Sequence, residues 1–249
     1  MLWRACGVSI TKRVVAEAVG TALLLATIVG SGIMAQRLSG GNVAIALLAN
    51  TIATGGALVC LIAALGPISG AHFNPAVTIC DAIQGGLPWG EVLPYVAAQL
   101  GGAVAGTAIA NIMFGLPVVF ASHHVRSGPV LMLSEFVATF GLMLVIWGCV
   151  RRRSSVVPFA VAGYIVAAYW FTPSTSFANP AVTIARSLSD TFAGIRPVDV
   201  PGFIVAELIG AVAATLLFGW LVPIRKREAE AVLLPHAESH RSEAARNVV

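Results

Sequence analysis

The chain has 249 residues, of which 57% are hydrophobic and only 10% are charged, and its mean hydropathy is +0.87. An ordinary soluble domain carries about 25% charged residues, so this composition excludes a water-soluble globule. Nine charged residues fall within 225–249, which leaves an apolar body followed by a short polar tail. A membrane-spanning helix needs about 20 mostly apolar residues, so the body has room for six or seven spans and for no second soluble domain.

Long apolar stretches bounded by charged residues or by Gly and Pro predict six membrane spans. Each stretch is long enough to cross the hydrocarbon core as a helix, with some tilt or a short polar flank. The predicted spans are 14–36, 43–65, 93–115, 130–150, 156–172 and 201–222. We therefore expect an N-terminal segment over 1–11, a membrane-spanning domain over 12–224 and a polar, disordered tail over 225–249, because few apolar residues remain to fold the tail.

The distribution of basic residues predicts the orientation of the spans. Basic residues favour the cytoplasmic flanks of membrane helices. With six spans, one side of the membrane carries nine of them and the other side four. The nine are Arg4, Lys12, Arg13, Arg151, Arg152, Arg153, Arg225, Lys226 and Arg227, and the four are Arg37, Arg126, Arg186 and Arg196. Both termini are therefore expected on the cytoplasmic side. The membrane itself is expected to be the plasma (bacterial inner) membrane.

One hexapeptide occurs twice in the chain. It reads Asn-Pro-Ala-Val-Thr-Ile at 74–79 and again at 179–184, an offset of 105 residues. A weaker echo links 95–106 with 203–214. Each half of the chain then contains three spans, and because three is odd the second half enters the membrane from the opposite side. The sequence predicts an all-α membrane protein with an inverted 3+3 repeat, in which the halves cover about 12–115 and 130–222.

The residues around each hexapeptide predict a half-span rather than a full span. The segments 66–84 and 173–195 are only moderately apolar and too short, with their turn residues, to cross the bilayer. Asn is a good N-cap and Pro suits the first helical position, so a short helix is expected to start at each Asn-Pro pair. Backbone leading into such helices is tolerated only where protein or a wet cavity lines it, which predicts a water-filled path.

The two motifs resemble those of the aquaporin and aquaglyceroporin (major intrinsic protein) family. The resemblance covers about residues 12–222, and it rests on two Asn-Pro-Ala motifs, the Ser-Gly-Ala-His-Phe lead-in at 69–73 and a Glu in spans one and four. It implies six spans with two half-helices and a homotetramer with one pore per subunit. The residues implied at the pore centre are Asn74, Pro75, Ala76, Asn179, Pro180 and Ala181.

The resemblance also locates a selectivity filter, at which this chain departs from the family. The family has Arg directly after the second motif, where this chain has Val182, and the next Arg is Arg186, about one helical turn away. The other filter positions map to Thr54, Ser176 and, on span five, Ala168 or its neighbour Ala167. All of these are small or short, so we expect a wide filter without a fixed cation.

These features predict a passive channel for water and small neutral solutes in the lipid bilayer. Glycerol-like polyols, urea-sized molecules and arsenous acid would fit such a filter, and the segment 182–203 looks like bacterial members associated with arsenic resistance. An ion-coupled secondary transporter is the alternative, since inverted repeats with broken helices also build carriers. Glycerol, water and metalloid acids cannot be ranked from the sequence.

The remaining candidates have structural interpretations. The resemblance implies that Glu17 and Glu135 accept hydrogen bonds from the backbone of the motif-bearing loops, and that His72 is a hydrogen-bonding brace. The four cysteines, together with the histidines at 123–124, 236 and 240, lack metal-ligand spacing, so neither a metal nor another cofactor is expected. No nucleophile or acid/base pair is found in the sequence, so an enzyme is not expected. The basic run at 151–153 is explained by membrane topology, so no nucleic-acid partner is expected.

Overall fold

A computed structural model describes residues 8–151 and 154–222, and every regular element in these ranges is helical. The α-helices are α1 Ile10–Leu38, α2 Val43–Ser69, α3 Pro75–Ile83, α4 Trp89–Met113, α5 Pro129–Val150, α6 Val157–Phe171, α7 Pro180–Arg186 and α8 Val200–Leu221. The all-α prediction is confirmed. Residues 1–7 of the predicted N-terminal segment, Arg152, Arg153 and the polar tail with its histidines lie outside the described residues.

The six predicted spans are all helices, and each observed boundary lies within four residues of the predicted one. Within the described residues, five helical segments are long and apolar enough to cross a membrane: α1, α2, α4, α5 and the segment Pro197–Leu221, which includes α8. The sixth, α6, is apolar but has only 15 residues. At 1.5 Å per residue it extends about 22 Å, and a single 3-10 turn, Ser154–Val156, precedes it.

The two Asn-Pro pairs begin short helices, as the sequence predicts. Asn74 caps α3 by accepting a hydrogen bond from Ala76 N–H, and Asn179 caps α7 by accepting from Ala181 N–H. One boundary differs from the expectation: residues 66–69 continue α2 instead of opening the half-span. Helix α2 ends at Gly70, whose φ of 91° lies in the left-handed region that glycine adopts without a Cβ clash.

Close backbone contact joins the first and third spans of each repeat. A Cβ at Gly102 or Gly106 of α4 would collide with a backbone carbonyl oxygen of α1, that of Ala18 or Ala22 respectively. In the second repeat a Cβ at Gly210 of α8 would meet a backbone carbonyl of α5 in the same way. The absence of a side chain at these glycines therefore allows the helices to approach closely. These contacts lie within the compact unit that extends through Thr215.

Polar contacts tie the connections to the helix ends. Arg13 at the start of α1 forms a two-pronged ion pair with Glu91 at the start of α4, with both N–O distances 2.7 Å. Arg151 donates to Gln84 Oε1 over 3.0 Å. Arg13, Arg151 and the 84–91 connection therefore lie together, as expected of residues assigned to one side of the membrane.

A fully buried carboxylate in α1 holds the loop that leads into α3. Glu17 accepts hydrogen bonds from Ser69 Oγ at 2.6 Å and from the backbone N–H groups of His72 at 3.0 Å and Phe73 at 2.7 Å. Gln99 Nε2 of α4 donates to the same carboxylate over 2.8 Å. These contacts are those that the family resemblance implies, and they satisfy backbone donors that have no helical partner.

The second repeat has an equivalent brace in α5. Glu135 accepts hydrogen bonds from the backbone N–H groups of Phe177 at 3.0 Å and Ala178 at 2.7 Å. The contacted residues lie 105 positions after those that Glu17 contacts, which is the offset of the repeated hexapeptide. The same function is therefore performed twice by symmetry-related residues.

The braced loops contain backbone conformations that are unfavourable for side-chain-bearing residues. Ala71 and Phe73 have φ values of 49° and 48°, and their counterparts Ser176 and Ala178 have 50° and 49°. A left-handed conformation costs about 1–2 kcal/mol at such residues. The hydrogen bonds to Glu17 and Glu135 offset this cost and keep the loops in one conformation.

The two repeats differ at one buried position. Gln99 donates to Thr78 Oγ1 over 2.9 Å as well as to Glu17. Its counterpart Glu207 in α8 instead accepts from Thr183 Oγ1 over 2.6 Å, and its second oxygen is buried without a hydrogen-bond partner. In both repeats one side-chain oxygen at this position, Gln99 Oε1 or Glu207 Oε2, is buried without a hydrogen-bond partner, and burial costs more for the carboxylate than for the amide.

We predict that an amide at this position is tolerated. Glu207→Gln resembles Gln99 in size and in its N–H donors, so the detergent-solubilised protein should keep or raise its melting temperature. Glu17→Gln replaces one of the two accepting oxygens by an NH2 group, so one backbone N–H loses its acceptor at a cost of about 1–3 kcal/mol, and the melting temperature should fall. Thermal unfolding followed by size-exclusion chromatography measures both. Equal losses for the two variants would contradict this interpretation.

We also predict that adding one methyl group has opposite effects at two glycines of α4, Gly106 and Gly101. Gly106→Ala should destabilise the protein because its Cβ would collide with the backbone of α1. Gly101→Ala is the control, since no atom lies within 4 Å of a Cβ there. An alanine is favoured over glycine within a helix by about 1 kcal/mol, so the control should be neutral or stabilising. Equal melting temperatures for the two variants would show that the close approach is unimportant.

Candidate functional site

A central cavity of about 780 Å³, open solvent included, lies between the two half-helices and the surrounding spans. One side of the lining is apolar, and the other consists of the two loops and the starts of α3 and α7. The apolar side comprises Leu24, Ile28, Leu58, Ile62, Leu142, Ile146, Val157, Val161 and Ile165.

The two motif asparagines meet at this cavity. Asn74 Nδ2 donates to the carbonyl of Ala178 over 2.8 Å, and Asn179 Nδ2 donates to the carbonyl of Phe73 over the same distance. Each asparagine therefore bonds the residue that precedes the other. A side-chain amide carries two N–H donors, so each asparagine retains one beyond the loop bond. Pro75, Pro180, Ala76 and Ala181 are buried behind the asparagines in the first turns of α3 and α7.

Three of the predicted filter residues line the cavity together. Thr54 of α2, Ser176 of the second loop and Val182 of α7 are all part of its lining and are almost completely buried. Val77, the counterpart of Val182 in the first repeat, lines the cavity as well. The alignment that places these three residues at one site is consistent with the structure.

The span-five filter position differs from the prediction. Ala168 is buried without lining the cavity, and Ala167 is exposed. Tyr169 lines the cavity instead, and its hydroxyl lies 3.4 Å from Thr54 Oγ1. Along α6, Val157, Val161, Ile165 and Tyr169 recur every four residues and share one face. The helix register thus presents an aromatic hydroxyl side chain where the sequence alignment predicts a small residue.

The expectation that the filter has no cation also needs correction. Arg186 lines the same cavity as Val182, although the sequence analysis did not count it as a replacement for the missing arginine. Residues four apart lie on the same face of a helix, so the side chain of Arg186 reaches the cavity from one turn further along α7. The signal that would have identified it is this four-residue spacing.

Arg186 is held by its immediate surroundings. Its Nε donates to the carbonyl of Ala193, and its guanidinium carbon lies 3.5 Å from the centroid of the Phe177 ring. Arg126 also contacts that ring, at 5.1 Å, and donates to the carbonyls of Ser174 and Gly194. Burial lowers the pKa of Arg126 from its ordinary value. The aromatic ring therefore organises two guanidinium groups beside the second loop.

His72 lies on the cavity at the first loop. Its Nδ1 is 3.1 Å from Thr78 Oγ1, and its Nε2 is 3.7 Å from a carboxylate oxygen of Asp81. These contacts agree with the bracing role predicted for His72. Asp81 is 2% exposed and was not singled out in the sequence. A carboxylate inside a predicted half-span was the available signal.

The charged outer connections are bound to one another. Asp190 accepts from the backbone N–H and the ring of His123, and these hydrogen bonds hold its pKa below the usual range.

The described residues contain no group of three or more His, Cys, Asp or Glu side chains that could hold a metal ion.

Comparisons with known proteins identify the family. Residues 5–172 match the family described as Major intrinsic protein. The chain is 56% identical over 213 residues to aquaglyceroporin AqpS of Rhizobium meliloti, covering 86% of this chain and 91% of that protein. It is 34% identical over 242 residues to aquaporin AqpM of Methanothermobacter marburgensis, covering 86% and 98%.

A solved structure has the same fold. The X-ray structure of the aquaglyceroporin from Plasmodium falciparum matches with a TM-score of 0.61 and 20% sequence identity, covering 84% of this chain and 96% of that chain. Its low identity limits this likeness to the fold, whereas the two sequence relatives carry the family assignment. The chain belongs to the major intrinsic protein family, and it is therefore a multi-pass membrane channel for water or small neutral solutes, not an enzyme.

Proposed function

We propose that the chain is a passive, wide-filter channel for water, glycerol-like polyols, urea-sized molecules and neutral metalloid acids such as arsenous acid. The observation that carries the proposal is the two-sided lining of the cavity. The spans contribute mostly aliphatic side chains, with Thr54 and Tyr169 as the polar ones, whereas the loops and the half-helix starts contribute amide donors and backbone. A polyol has the same division, with carbon–hydrogen surface along one edge and hydroxyl groups along the other.

The hydrogen-bonding side matches the needs of a neutral solute. Asn74 and Asn179 each have an N–H beyond the one bonded to the opposite loop, and both residues line the cavity. A solute that leaves water loses hydrogen bonds, and these groups replace them. Arsenous acid carries three hydroxyl groups, as glycerol does, and is suited to the same groups.

The field of the half-helices favours neutral cargo. The N-termini of α3 and α7 both point their partial positive ends toward the asparagines, which disfavours protons and other cations at the centre. Neutral molecules are not repelled by this field, because they carry no net charge, and they can pass.

A channel is favoured over an ion-coupled carrier by the charges on the cavity. Carriers that are coupled to a cation typically place a carboxylate at the substrate site. The acidic side chains Glu17, Glu135 and Glu207 are engaged behind the loops, and the residues that line the cavity include no carboxylate. The titratable lining residues are His72, Tyr169 and Arg186.

We further propose that the protein is a homotetramer in a bacterial inner membrane with both termini in the cytoplasm. Support comes from the excess of basic residues on the side that holds Arg13 and Arg151. Large apolar side chains such as Leu23, Ile52, Leu93 and Leu133 are exposed on the helices and suit lipid or neighbouring subunits. The segment boundaries 12–224 and 225–249 are part of the same proposal.

One prediction of the proposed function concerns transport itself. Proteoliposomes that contain the purified protein should equilibrate water, glycerol, urea and arsenous acid faster than protein-free vesicles, with rates linear in the gradient and insensitive to an uncoupler. Stopped-flow light scattering measures this for the osmotic gradients. Rates no faster than those of empty vesicles for every solute would contradict the wide filter, and saturable uptake that an uncoupler abolishes would favour the carrier.

Another prediction of the proposed function concerns the filter. Val182→Arg places a second long cationic side chain beside Thr54 and Ser176, so it should reduce glycerol flux more than water flux, because the larger solute needs more of the cross-section. Val182→Leu is the control for volume without charge and should have a smaller effect on the glycerol-to-water permeability ratio. Equal losses of water and glycerol flux in Val182→Arg would show that Val182 is not a filter residue.

A further inference from the structure

Arg186 is a buried guanidinium without an ion-pair partner. It is 2% exposed at the end of α7, and its Nη1 is buried without a hydrogen-bond partner. The ion pairs among the described residues involve Arg13, His72, His123 and Arg196, and none involves Arg186. An unpaired buried charge is expensive.

Arg126 increases this cost, whereas the nearby carboxylates of Glu135 and Glu207 relieve it only in part, because neither forms an ion pair with Arg186 among the described residues. The closest charged group on the same ring is the guanidinium of Arg126, which contacts Phe177 as Arg186 does. The carboxylates that face this region are already bonded: Glu135 accepts from the loop backbone, and Glu207 accepts from Thr183. Protein atoms therefore leave part of the hydrogen-bonding capacity of Arg186 unused.

Arg186 is one of the residues that line the cavity, although its Nη1 itself is shielded from water-sized molecules. Its Nε is anchored to the carbonyl of Ala193, and its plane lies against Phe177, so the side chain is held in one orientation. An arginine side chain has five N–H donors and no acceptor. On this lining, the acceptors that remain within reach are the oxygen atoms of water and solute in the cavity.

We propose that Arg186 is the specificity-determining cation of this channel, one helical turn beyond Val182. It donates hydrogen bonds to the hydroxyl and carbonyl oxygens of neutral solutes and repels cations at the end of the cavity that Tyr169 lines. The proposal rests on the proposed function, since it assumes that solutes pass through this cavity. It places the charge of the filter on a different residue from the one that the family motif designates.

Urea and the guanidinium ion provide a direct test, because they have nearly the same shape and differ in charge. Wild-type proteoliposomes should conduct urea and exclude guanidinium to the level of empty vesicles. Arg186→Met keeps the length of the side chain without its charge or donors. It should raise guanidinium permeability about tenfold or more and lower the urea-to-water permeability ratio about threefold or more. Arg186→Lys should keep guanidinium excluded.

Arg37→Met is the matched control. Arg37 also lies over an aromatic ring, that of Phe114 at 5.1 Å, and donates to a backbone carbonyl, but it does not line the cavity. This variant should behave as the wild type does. If Arg186→Met fails to assemble, as judged by size-exclusion chromatography and water flux, Arg186→Gln takes its place with the same expectations.

The outcomes separate the two proposals. If the wild type conducts urea and Arg186→Met matches it in both guanidinium exclusion and the urea-to-water ratio, the role of Arg186 is overturned while the channel stands. Loss of guanidinium exclusion in Arg186→Lys as well as in Arg186→Met also overturns it, because charge would then not be the determinant. A wild type that conducts no urea, glycerol or water contradicts the proposed function instead.

Discussion

The structure depends on a reciprocal hydrogen bond between two half-helices. Asn74 and Asn179 each cap their own helix through Oδ1 and bind the opposite loop through Nδ2, at 2.8 Å in both directions. A single side chain thus satisfies backbone groups on both sides of the junction. Because neither half-helix crosses a membrane, each depends on the other for its position, and the cavity exists only where they meet.

The loops that lead to this junction are held from behind by buried carboxylates. Glu17 and Glu135 bind loop N–H groups beside left-handed residues, so they stabilise a conformation that the chain would otherwise avoid. They belong to α1 and α5, which in turn contact α4 and α8 at glycine positions. The chemistry at the cavity is therefore positioned by contacts that lie outside it.

The two repeats are similar in their scaffold and different at the site. The braces and the caps recur at an offset of 105 residues, whereas Gln99 is replaced by Glu207, and only the second half-helix ends in an arginine. A symmetric scaffold therefore carries an asymmetric lining. In this chain the asymmetry is expressed by Tyr169 and Arg186.

The amino-acid sequence alone determined the helical spans, the inverted repeat and the two caps, because apolar length and an exact hexapeptide repeat are local or pairwise signals. The family resemblance supplied the bracing role of Glu17 and Glu135. It located Thr54, Ser176 and Val182 correctly on one cavity. It misplaced the span-five residue and dismissed Arg186. Only the tertiary structure decided those two, since which side chain faces the cavity depends on the rotation of α6 and α7 about their axes. That rotation is set by packing against neighbouring elements, such as Phe177 beneath Arg186 and Thr54 beside Tyr169.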